Sequence, residues 1–214
     1  MYLRFGKRIF DTAAALAGLV ITSPVLLACA AAVRLDSPGP IFFRQRRVGR
    51  YGRTFRIFKF RTMTDGADKK GAPLTASGDA RVTRVGRVLR KTKLDEVPQL
   101  LNVVRGEMSL VGPRPEVPEY TRRYTAEECK VLAVRPGITG PASLAYIDEE
   151  RLLASAADPE KFYVDTLMRR KLQFDLAYCR NIFFIEDLRI VFRTLAGVAG
   201  LRPGATENPC ISNE

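Results

Sequence analysis

The stretch that decides the fold runs from Lys93 to Pro115 and reads KLDEVPQLLNVVRGEMSLVGPRP. Its apolar residues recur at three- and four-residue steps: Leu94, Val97, Leu101 and Val104. This spacing predicts a helix with one apolar face. Thr92 is the predicted N-cap, Pro98 falls in the first turn, where proline is tolerated, and Gly106 is the predicted end. The stretch is therefore expected to form a short amphipathic helix followed by a stiff, proline-rich turn.

Two adjacent carboxylates, Asp95 and Glu96, fall in the first turn of this helix. The positive end of the helix dipole favours their ionised form, and an ionised Asp can act as a nucleophile or as a Mg²⁺ ligand. The turn that follows presents Arg114, whose guanidinium suits phosphate. Acidic residues in a first helical turn are also common for stability alone. The residues by themselves leave a catalytic pair and a stabilising pair as alternatives.

The composition restricts the partners and the chemistry. A chain of 214 residues is long enough for one domain with a proper core. Its net charge of +12, from 35 basic and 23 acidic residues, predicts an anionic partner. The chain has no His, so acid–base and nucleophilic work falls to carboxylates, Lys, Tyr or Cys. The four cysteines lie far apart, which predicts reduced thiols in a cytoplasmic setting and no metal site of their own.

An uncharged stretch of 22 residues, Thr12 to Val33, is long enough to cross a membrane. However, Ser23 and Pro24 lie at its middle, where proline removes a backbone hydrogen bond, and basic residues flank both ends. Because positive flanks favour the cytoplasmic side, this pattern predicts a helix–break–helix that enters and leaves the membrane by one face. A straight signal anchor, a lipoprotein signal ending at Cys29 and a buried core helix are the alternatives.

The segment from Ile41 to Met63 carries eight basic residues. Alternation in FRIFKFRTM predicts an extended strand with Lys59 and Arg61 on one side. Such a run can hold lipid headgroups or a phosphate, or it can be a solvated basic face. Arg90 lies about one helical turn before Asp95 and is expected to reach the same site.

The remaining segments predict a mainly helical domain. Helices are expected at 116–134 and 159–180, an amphipathic helix at 183–201, and a disordered tail at 201–214. The polar segment 65–79 is predicted to be a loop that either connects or acts as a lid. Together with the extended runs, these helices predict a compact α/β or mainly helical unit on the membrane.

Five segments carry a resemblance to a known family: LDEVPQLLNVVRGEMSLVGPRP (94–115), PIFFRQRRVG (40–49), KFRTM (59–63), PGITG (136–140) and the Ser23-Pro24 pair. They resemble the bacterial sugar transferases, the small monotopic phosphoglycosyl transferases that act on polyprenyl phosphates, over about residues 1–200. The resemblance implies a re-entrant membrane helix at 1–36 and a cytoplasmic catalytic domain at 37–200, on the inner membrane of a bacterium. The PGITG run is then expected near the nucleotide or sugar.

The resemblance also implies a reaction. A phospho-sugar would pass from a UDP-sugar to undecaprenyl phosphate with release of UMP, as the first membrane step of glycoconjugate biosynthesis. Asp95 would attack the sugar-bearing phosphate, Glu96 would complete the catalytic pair, and Mg²⁺ would be held through Asp95. The expected phosphate- and substrate-binding residues are Lys59, Arg61, Arg90 and Arg114.

Two other classes of function remain as alternatives. A nucleic-acid-binding protein would use the positive charge, but the uncharged 22-residue stretch counts against it, so no nucleic-acid partner is expected. A non-catalytic scaffold on the membrane surface would use the hairpin and the arginines alone, and would give no reason for the carboxylate pair. The sugar, the glycan pathway and the choice between monomer and homodimer stay open.

Overall fold

The computed structural model describes residues 2–67, 79–198 and 200–201. The α-helices are α1 (Lys7–Asp36), α2 (Arg84–Lys91), α3 (Leu100–Arg105), α4 (Pro118–Thr121), α5 (Pro141–Ala145), α6 (Glu149–Ala154), α7 (Pro159–Phe162), α8 (Met168–Arg180) and α9 (Phe184–Val198). Single helical turns cover Tyr2–Gly6, Arg50–Gly52, Leu94–Gln99, Glu128–Ala133 and Tyr163–Leu167. The strands are β1 (Phe42–Phe43), β2 (Arg46–Val48), β3 (Thr54–Arg56), β4 (Lys59–Phe60), β5 (Ser109–Val111) and β6 (Gly137–Thr139). The prediction of a mainly helical chain with a few short strands is confirmed.

The first four strands form one interrupted hairpin. β1 pairs antiparallel with β4, so that Phe42 lies opposite Phe60 and Phe43 lies opposite Lys59. β2 pairs antiparallel with β3, and a separate parallel pair joins β5 and β6. The predicted extended course of 41–63 is confirmed, and the hairpin register fixes which side chains stand beside Lys59.

The N-terminal helix α1 is 30 residues long and continues through Ser23 and Pro24. The predicted interruption of the helix at this pair is therefore not seen. Pro24 cannot donate to the carbonyl of Val20, but the Ser23 hydroxyl donates to that oxygen at 2.8 Å, which replaces the missing bond. Among the described residues, α1 is the one helix that is long and apolar enough to cross a membrane.

Both halves of α1 pack against the rest of the chain. In the first half, Asp11 and Ala15 are buried, and Ala15 contacts the core around α3. In the second half, Cys29 and Val33 are buried against a cluster that includes β4 and α2. The large apolar side chains of the middle are exposed: Leu16, Val20, Ile21, Val25 and Leu27. The helix thus contacts one domain near both ends and presents a bare apolar middle.

The C-terminal half of the chain supplies the largest core. The helical prediction for 159–180 is confirmed by the continuous run of α7, the Tyr163–Leu167 turn and α8. The predicted helix at 116–134 is wrong, because α4 ends at Thr121 and helical structure resumes only at Glu128. Thr125 and Glu128 form a reciprocal capping box there, which starts a new turn instead of extending the old one. The predicted helix at 183–201 is observed as α9.

Two predicted segments lie mainly outside the described residues. Of the predicted loop or lid at 65–79, residues 68–78 are outside, and of the predicted tail, residues 202–214 are outside.

Candidate active site

The carboxylate pair is placed by a sharp change of backbone direction. α2 ends at Thr92, whose hydroxyl donates to the Val88 carbonyl oxygen at 2.9 Å, so the predicted role of Thr92 as an N-cap is wrong. The next residue, Lys93, has φ = 56°, a left-handed conformation that a non-glycine residue rarely adopts. The 3₁₀ turn Leu94–Gln99 starts immediately afterwards and leads into α3. Gly106, at φ = 82°, ends α3 as predicted.

Asp95 and Glu96 share a lysine and engage an arginine. Asp95 is 1% exposed, and its Oδ2 lies 2.8 Å from the Lys59 Nζ. The same Nζ lies 3.2 Å from Glu96 Oε1. Arg114 grips Glu96 with both terminal nitrogens, at 2.6 Å to Oε1 and 3.1 Å to Oε2. Two cations therefore converge on two adjacent carboxylates, with Glu96 between them.

The charges around Glu96 keep it ionised. Burial by itself would raise the pKa of Glu96, but the charges of Arg114 and Lys59 and the hydrogen bond from Arg114 hold that pKa well below its usual value. The carboxylate of Glu96 raises the pKa of Arg114 in return. Glu96 is thus a permanent anion that fixes the position of two cations.

A buried asparagine that sequence reasoning missed positions Lys59. Asn102 on α3 is fully buried, and its Oδ1 accepts from the Phe58 backbone N–H at 2.9 Å. Its Nδ2 donates to the Arg56 carbonyl at 2.9 Å and to Glu107 Oε2 at 2.7 Å. Asn102 therefore fastens the β3–β4 segment, which carries Lys59, to the helix that follows the carboxylate pair.

A cleft of about 640 Å³ opens over this constellation. Its lining includes Lys59, Arg61, Arg90, Glu96 and Arg114, so it collects every sequence-predicted site residue of the catalytic domain except Asp95. Asp95 lies beneath the cleft floor, covered by Lys59. A volume of this size can hold a nucleotide sugar, and its basic lining suits the pyrophosphate of such a ligand.

The other two predicted phosphate ligands, Arg61 and Arg90, also have protein partners. The Arg61 guanidinium is buried and donates to the carbonyl oxygens of Ser37, at 2.7 Å, and of Pro38, beyond the end of α1. Arg90 donates from its Nε to the Thr62 hydroxyl at 2.9 Å. Arg61 thus ties the cleft wall to the end of α1, while Arg90 points along the cleft from α2.

A second polar cluster lies behind Arg114 and was also missed from the sequence. Glu116 accepts a hydrogen bond from the Tyr163 hydroxyl and lies 3.8 Å from Arg47. Asp175 on α8 is 5% exposed, and its Oδ1 has no hydrogen-bond partner. Burial raises the pKa of Asp175 to about 7, although Lys171 and the backbone N–H groups of Ala142 and Arg114 act in the opposite direction. Nothing in the local sequence of α8 singles out this Asp.

The raised pKa of Asp175 predicts a pH-dependent stability. Its folded-state pKa of about 7 lies above its ordinary value of 3.8, so the folded chain holds the proton more tightly than the unfolded chain. The stabilisation is complete below about pH 4 and is lost as pH rises through about 7.

The variant Asp175→Asn tests this dependence, because its amide cannot titrate. We expect the melting temperature of the wild type, relative to Asp175→Asn, to fall between about pH 5 and about pH 8. Exposed Asp165→Asn is the control, and a constant difference for Asp175→Asn would contradict the assignment.

The PGITG segment lies beside the strand that leads to the Arg114 turn, and its expected position near the nucleotide or sugar stays a prediction. Gly137–Thr139 forms β6 beside β5, and none of residues 136–140 contributes to the described wall of the cleft. A Cβ on Gly137 would lie 2.2 Å from the Gly112 backbone nitrogen. The glycine is therefore needed because two backbones approach closely, immediately before the turn that presents Arg114.

The predicted metal ligand has a free oxygen. Asp95 Oδ1 is buried and lacks a hydrogen-bond partner. Within the described part of the chain, no three acidic or cysteine side chains cluster to hold a metal by themselves. Mg²⁺ in phosphoryl-transfer sites is usually held by one or two carboxylates together with substrate phosphates, so a single free carboxylate oxygen fits such an ion.

The comparisons with known proteins identify the family. The family model for bacterial sugar transferases matches residues 2–200. The chain is 41% identical over 194 residues to the UDP-N-acetylgalactosamine-undecaprenyl-phosphate N-acetylgalactosaminephosphotransferase of Aeromonas hydrophila, covering 89% of this chain and 43% of that protein.

Two further relatives act, by their names, on a different sugar. The UDP-glucose:undecaprenyl-phosphate glucose-1-phosphate transferase of Caulobacter vibrioides is 41% identical over 200 residues, covering 88% of this chain and 68% of the relative. The protein with the same name in Escherichia coli is 40% identical over 197 residues, which cover 90% of this chain and 40% of that relative. The chain thus spans less than half the length of two of these three relatives. It belongs to the bacterial sugar transferase family.

Proposed function

We propose that this protein transfers a sugar 1-phosphate from a UDP-sugar to undecaprenyl phosphate, forming undecaprenyl-diphosphate-sugar and UMP. The observation that carries the proposal is the pair of the buried Asp95 and the half-buried Glu96, held by Lys59 and Arg114 at a basic cleft. The names of the relatives support the two substrates, and their different sugars leave the donor's sugar open.

The proposed chemistry proceeds in two displacements through Asp95. An Asp95 carboxylate oxygen attacks the sugar-bearing phosphorus, forming an acyl-phosphate bond while the bond to the bridging oxygen breaks and UMP leaves. An oxygen of the lipid phosphate then attacks the same phosphorus, and the bond to Asp95 breaks. No proton needs to move in either step, which suits a site that contains no histidine.

Lys59 and Arg114 prepare the site for this chemistry. Lys59 covers Asp95 in the ligand-free chain, so it must turn toward the donor's pyrophosphate before the carboxylate can attack. Glu96 keeps Lys59 and Arg114 close together, where both can stabilise the negative charge that develops on the leaving phosphate. Glu96 therefore acts as a positioning residue, and Asp95 is the nucleophile.

Asp95 would hold Mg²⁺ through its unpartnered Oδ1, and the ion would supply charge neutralisation at the donor's pyrophosphate. Lys59 contacts Oδ2 and leaves Oδ1 without a hydrogen-bond partner. Because Oδ1 is buried in the ligand-free chain, the turn of Lys59 toward the donor would also have to open a path to this oxygen. The protein's own cations supply the remaining neutralisation, chiefly through Arg114 and Lys59.

We also propose that α1 enters the membrane without crossing it, which places the cleft at the cytoplasmic face of the inner membrane. Asp11 and Val33 lie about 33 Å apart along a straight helix, as far as the hydrocarbon core is thick. Yet both are buried against the same domain, while the middle of the helix is exposed and apolar. Protease digestion of an N-terminal tag in sealed inverted vesicles tests this course. A protected tag would mean that α1 spans the bilayer.

The decisive experiment is UMP release by the detergent-solubilised protein, with undecaprenyl phosphate, Mg²⁺ and a panel of UDP-sugars. We expect release with at least one donor, and loss of that release when a chelator is added. Release that survives chelation would remove Mg²⁺ from the proposal. The absence of both release and UDP-sugar binding across the panel would favour the non-catalytic membrane scaffold.

A further inference from the structure

One wall of the cleft is aromatic and continues into the membrane helix. Phe42 lines the cleft, is 36% exposed, and stacks on Phe60 with ring centroids 5.4 Å apart and an angle of 16° between the planes. Phe60 in turn packs in the same buried cluster as Cys29 and Val33 of α1. Phe42 thus presents an exposed aromatic ring in an otherwise basic cleft, directly over the buried cluster that joins β4 to the second half of α1.

The arginine next to this wall stacks on an aromatic ring but has no hydrogen-bond or ion-pair partner among the described residues. Arg44 lines the cleft, is exposed, and stacks with its guanidinium carbon 3.8 Å from the centre of the Phe58 ring. Throughout the residues that the structure describes, Arg44 makes neither a hydrogen bond nor an ion pair. The other cleft cations differ, since Lys59 and Arg114 hold carboxylates and Arg61 holds carbonyl oxygens. Arg44 can therefore receive a ligand phosphate without breaking a hydrogen bond or an ion pair.

The β1–β4 hairpin places the residue between Phe42 and Arg44 beside Lys59. Phe43, between Phe42 and Arg44, lies directly opposite Lys59 in the β1–β4 pair. Side chains of such paired residues stand about 5 Å apart at Cβ. Alternate side chains of a strand point to opposite faces, so Phe42 and Arg44 flank the Phe43–Lys59 pair instead of pairing with Lys59 themselves. All of these residues line the same cleft, and Lys59 lies 2.8 Å from Asp95, so a phosphate on Arg44 shares one cleft with the nucleophile.

We propose that Phe42 and Arg44 form the acceptor subsite, in which the isoprenoid chain next to the phosphate lies on Phe42 and the lipid phosphate binds Arg44. This inference rests on the proposed function and adds the location of one substrate. The apolar wall suits a hydrocarbon chain that comes from the bilayer along α1, and the unpaired guanidinium suits a phosphate dianion. In this arrangement the UDP-sugar would bind in the polar part of the cleft around Arg90 and Thr62.

The two displacements allow the acceptor subsite to be tested apart from the donor site. Wild-type protein mixed with UDP-sugar alone should release UMP in a burst stoichiometric with the enzyme. We expect Phe42→Ala and Arg44→Gln to give bursts of the same amplitude and rate. A wild type without a burst would count against the covalent function itself, whereas slowed bursts in the two variants would overturn the subsite.

Steady-state transfer then measures acceptor binding. We expect Arg44→Gln to raise the KM for undecaprenyl phosphate by about 10- to 100-fold, with the donor KM unchanged. Phe42→Ala should raise the KM for undecaprenyl phosphate roughly tenfold, and it should raise the KM for a phosphate with only a few carbon atoms much less. Equal effects of Phe42→Ala on both acceptors would mean that Phe42 does not touch the chain.

Matched controls come from the same hairpin. Arg46→Gln removes an exposed arginine two residues away, which donates only to the Thr54 hydroxyl at 3.3 Å and lies outside the cleft lining. Tyr51→Ala removes an exposed aromatic ring at the hairpin turn. Both should keep the wild-type KM for the acceptor. An increase in these controls equal to that of Arg44→Gln would show a general effect of hairpin charge or packing and would overturn the assignment.

Discussion

Asp95→Asn is expected to lower UMP release by about 10⁴-fold or more, because the amide cannot form the acyl-phosphate bond on which both displacements depend. The substitution is nearly isosteric, and Asn can still accept a hydrogen bond from Lys59. The loss should therefore appear in the chemical step and leave donor binding close to normal. Single-turnover UMP release and UDP-sugar binding, measured on the same preparations, separate these two effects.

The intermediate itself gives a second readout. Wild-type protein quenched after mixing with UDP-sugar alone should gain the mass of one phospho-sugar, and Asp95→Asn should gain none. Asp165→Asn, which changes an exposed carboxylate on the Tyr163–Leu167 turn, should behave as the wild type. Full turnover by Asp95→Asn would rule out the covalent scheme. An adduct retained in Asp95→Asn but lost in Glu96→Gln would exchange the roles of the two carboxylates.

The features that could be predicted from the sequence are the local ones. The Asp95–Glu96 pair, the end of α3 at Gly106 and the extended course of 41–63 depend on neighbouring residues, and each is observed. Arg90 could be placed near Asp95 from its helical spacing, but the convergence of Lys59 on the same cleft could be inferred only from the family resemblance. The separation of Lys59 from Asp95 in sequence gives no information about their distance in space.

The features that could not be predicted depend on contacts between distant segments. Asn102 reads as an ordinary polar residue within a helix, yet it fastens Phe58, 44 residues earlier, beside Lys59. In the sequence, Asp175 is one Asp among many. In the fold it is buried beside the backbone of Ala142 and Arg114, and this burial raises its pKa. Thr92 has the composition of an N-cap, but the left-handed Lys93 behind it makes it the end of the preceding helix. In each case tertiary packing overrides a local preference.

Pro24 shows how a correct local rule can lead to a wrong local structure. Proline does remove one backbone hydrogen bond, and the sequence therefore predicts a break in α1. The neighbouring Ser23 hydroxyl donates to the carbonyl that loses its partner, so the helix continues. Compensation of this kind matters most where no water can replace the bond, as in a bilayer.

Arg114→Lys is expected to lower the rate of UMP release by about 10²-fold while preserving the fold. Lysine keeps the positive charge beside Glu96 but cannot form the two-pronged contact that Arg114 makes at 2.6 and 3.1 Å. Glu96 then loses a fixed partner, Lys59 is less firmly placed, and the leaving phosphate meets a mobile ammonium in place of a rigid guanidinium.

Arg189→Lys, at an exposed Arg–Glu pair on α9, is the matched control and should retain the wild-type rate and melting temperature. A wild-type rate in Arg114→Lys would show that charge alone suffices at this position, and that the geometry of the Glu96 contact has no part in the reaction. A fall in melting temperature much larger than that of the control would instead assign Arg114 mainly to stability.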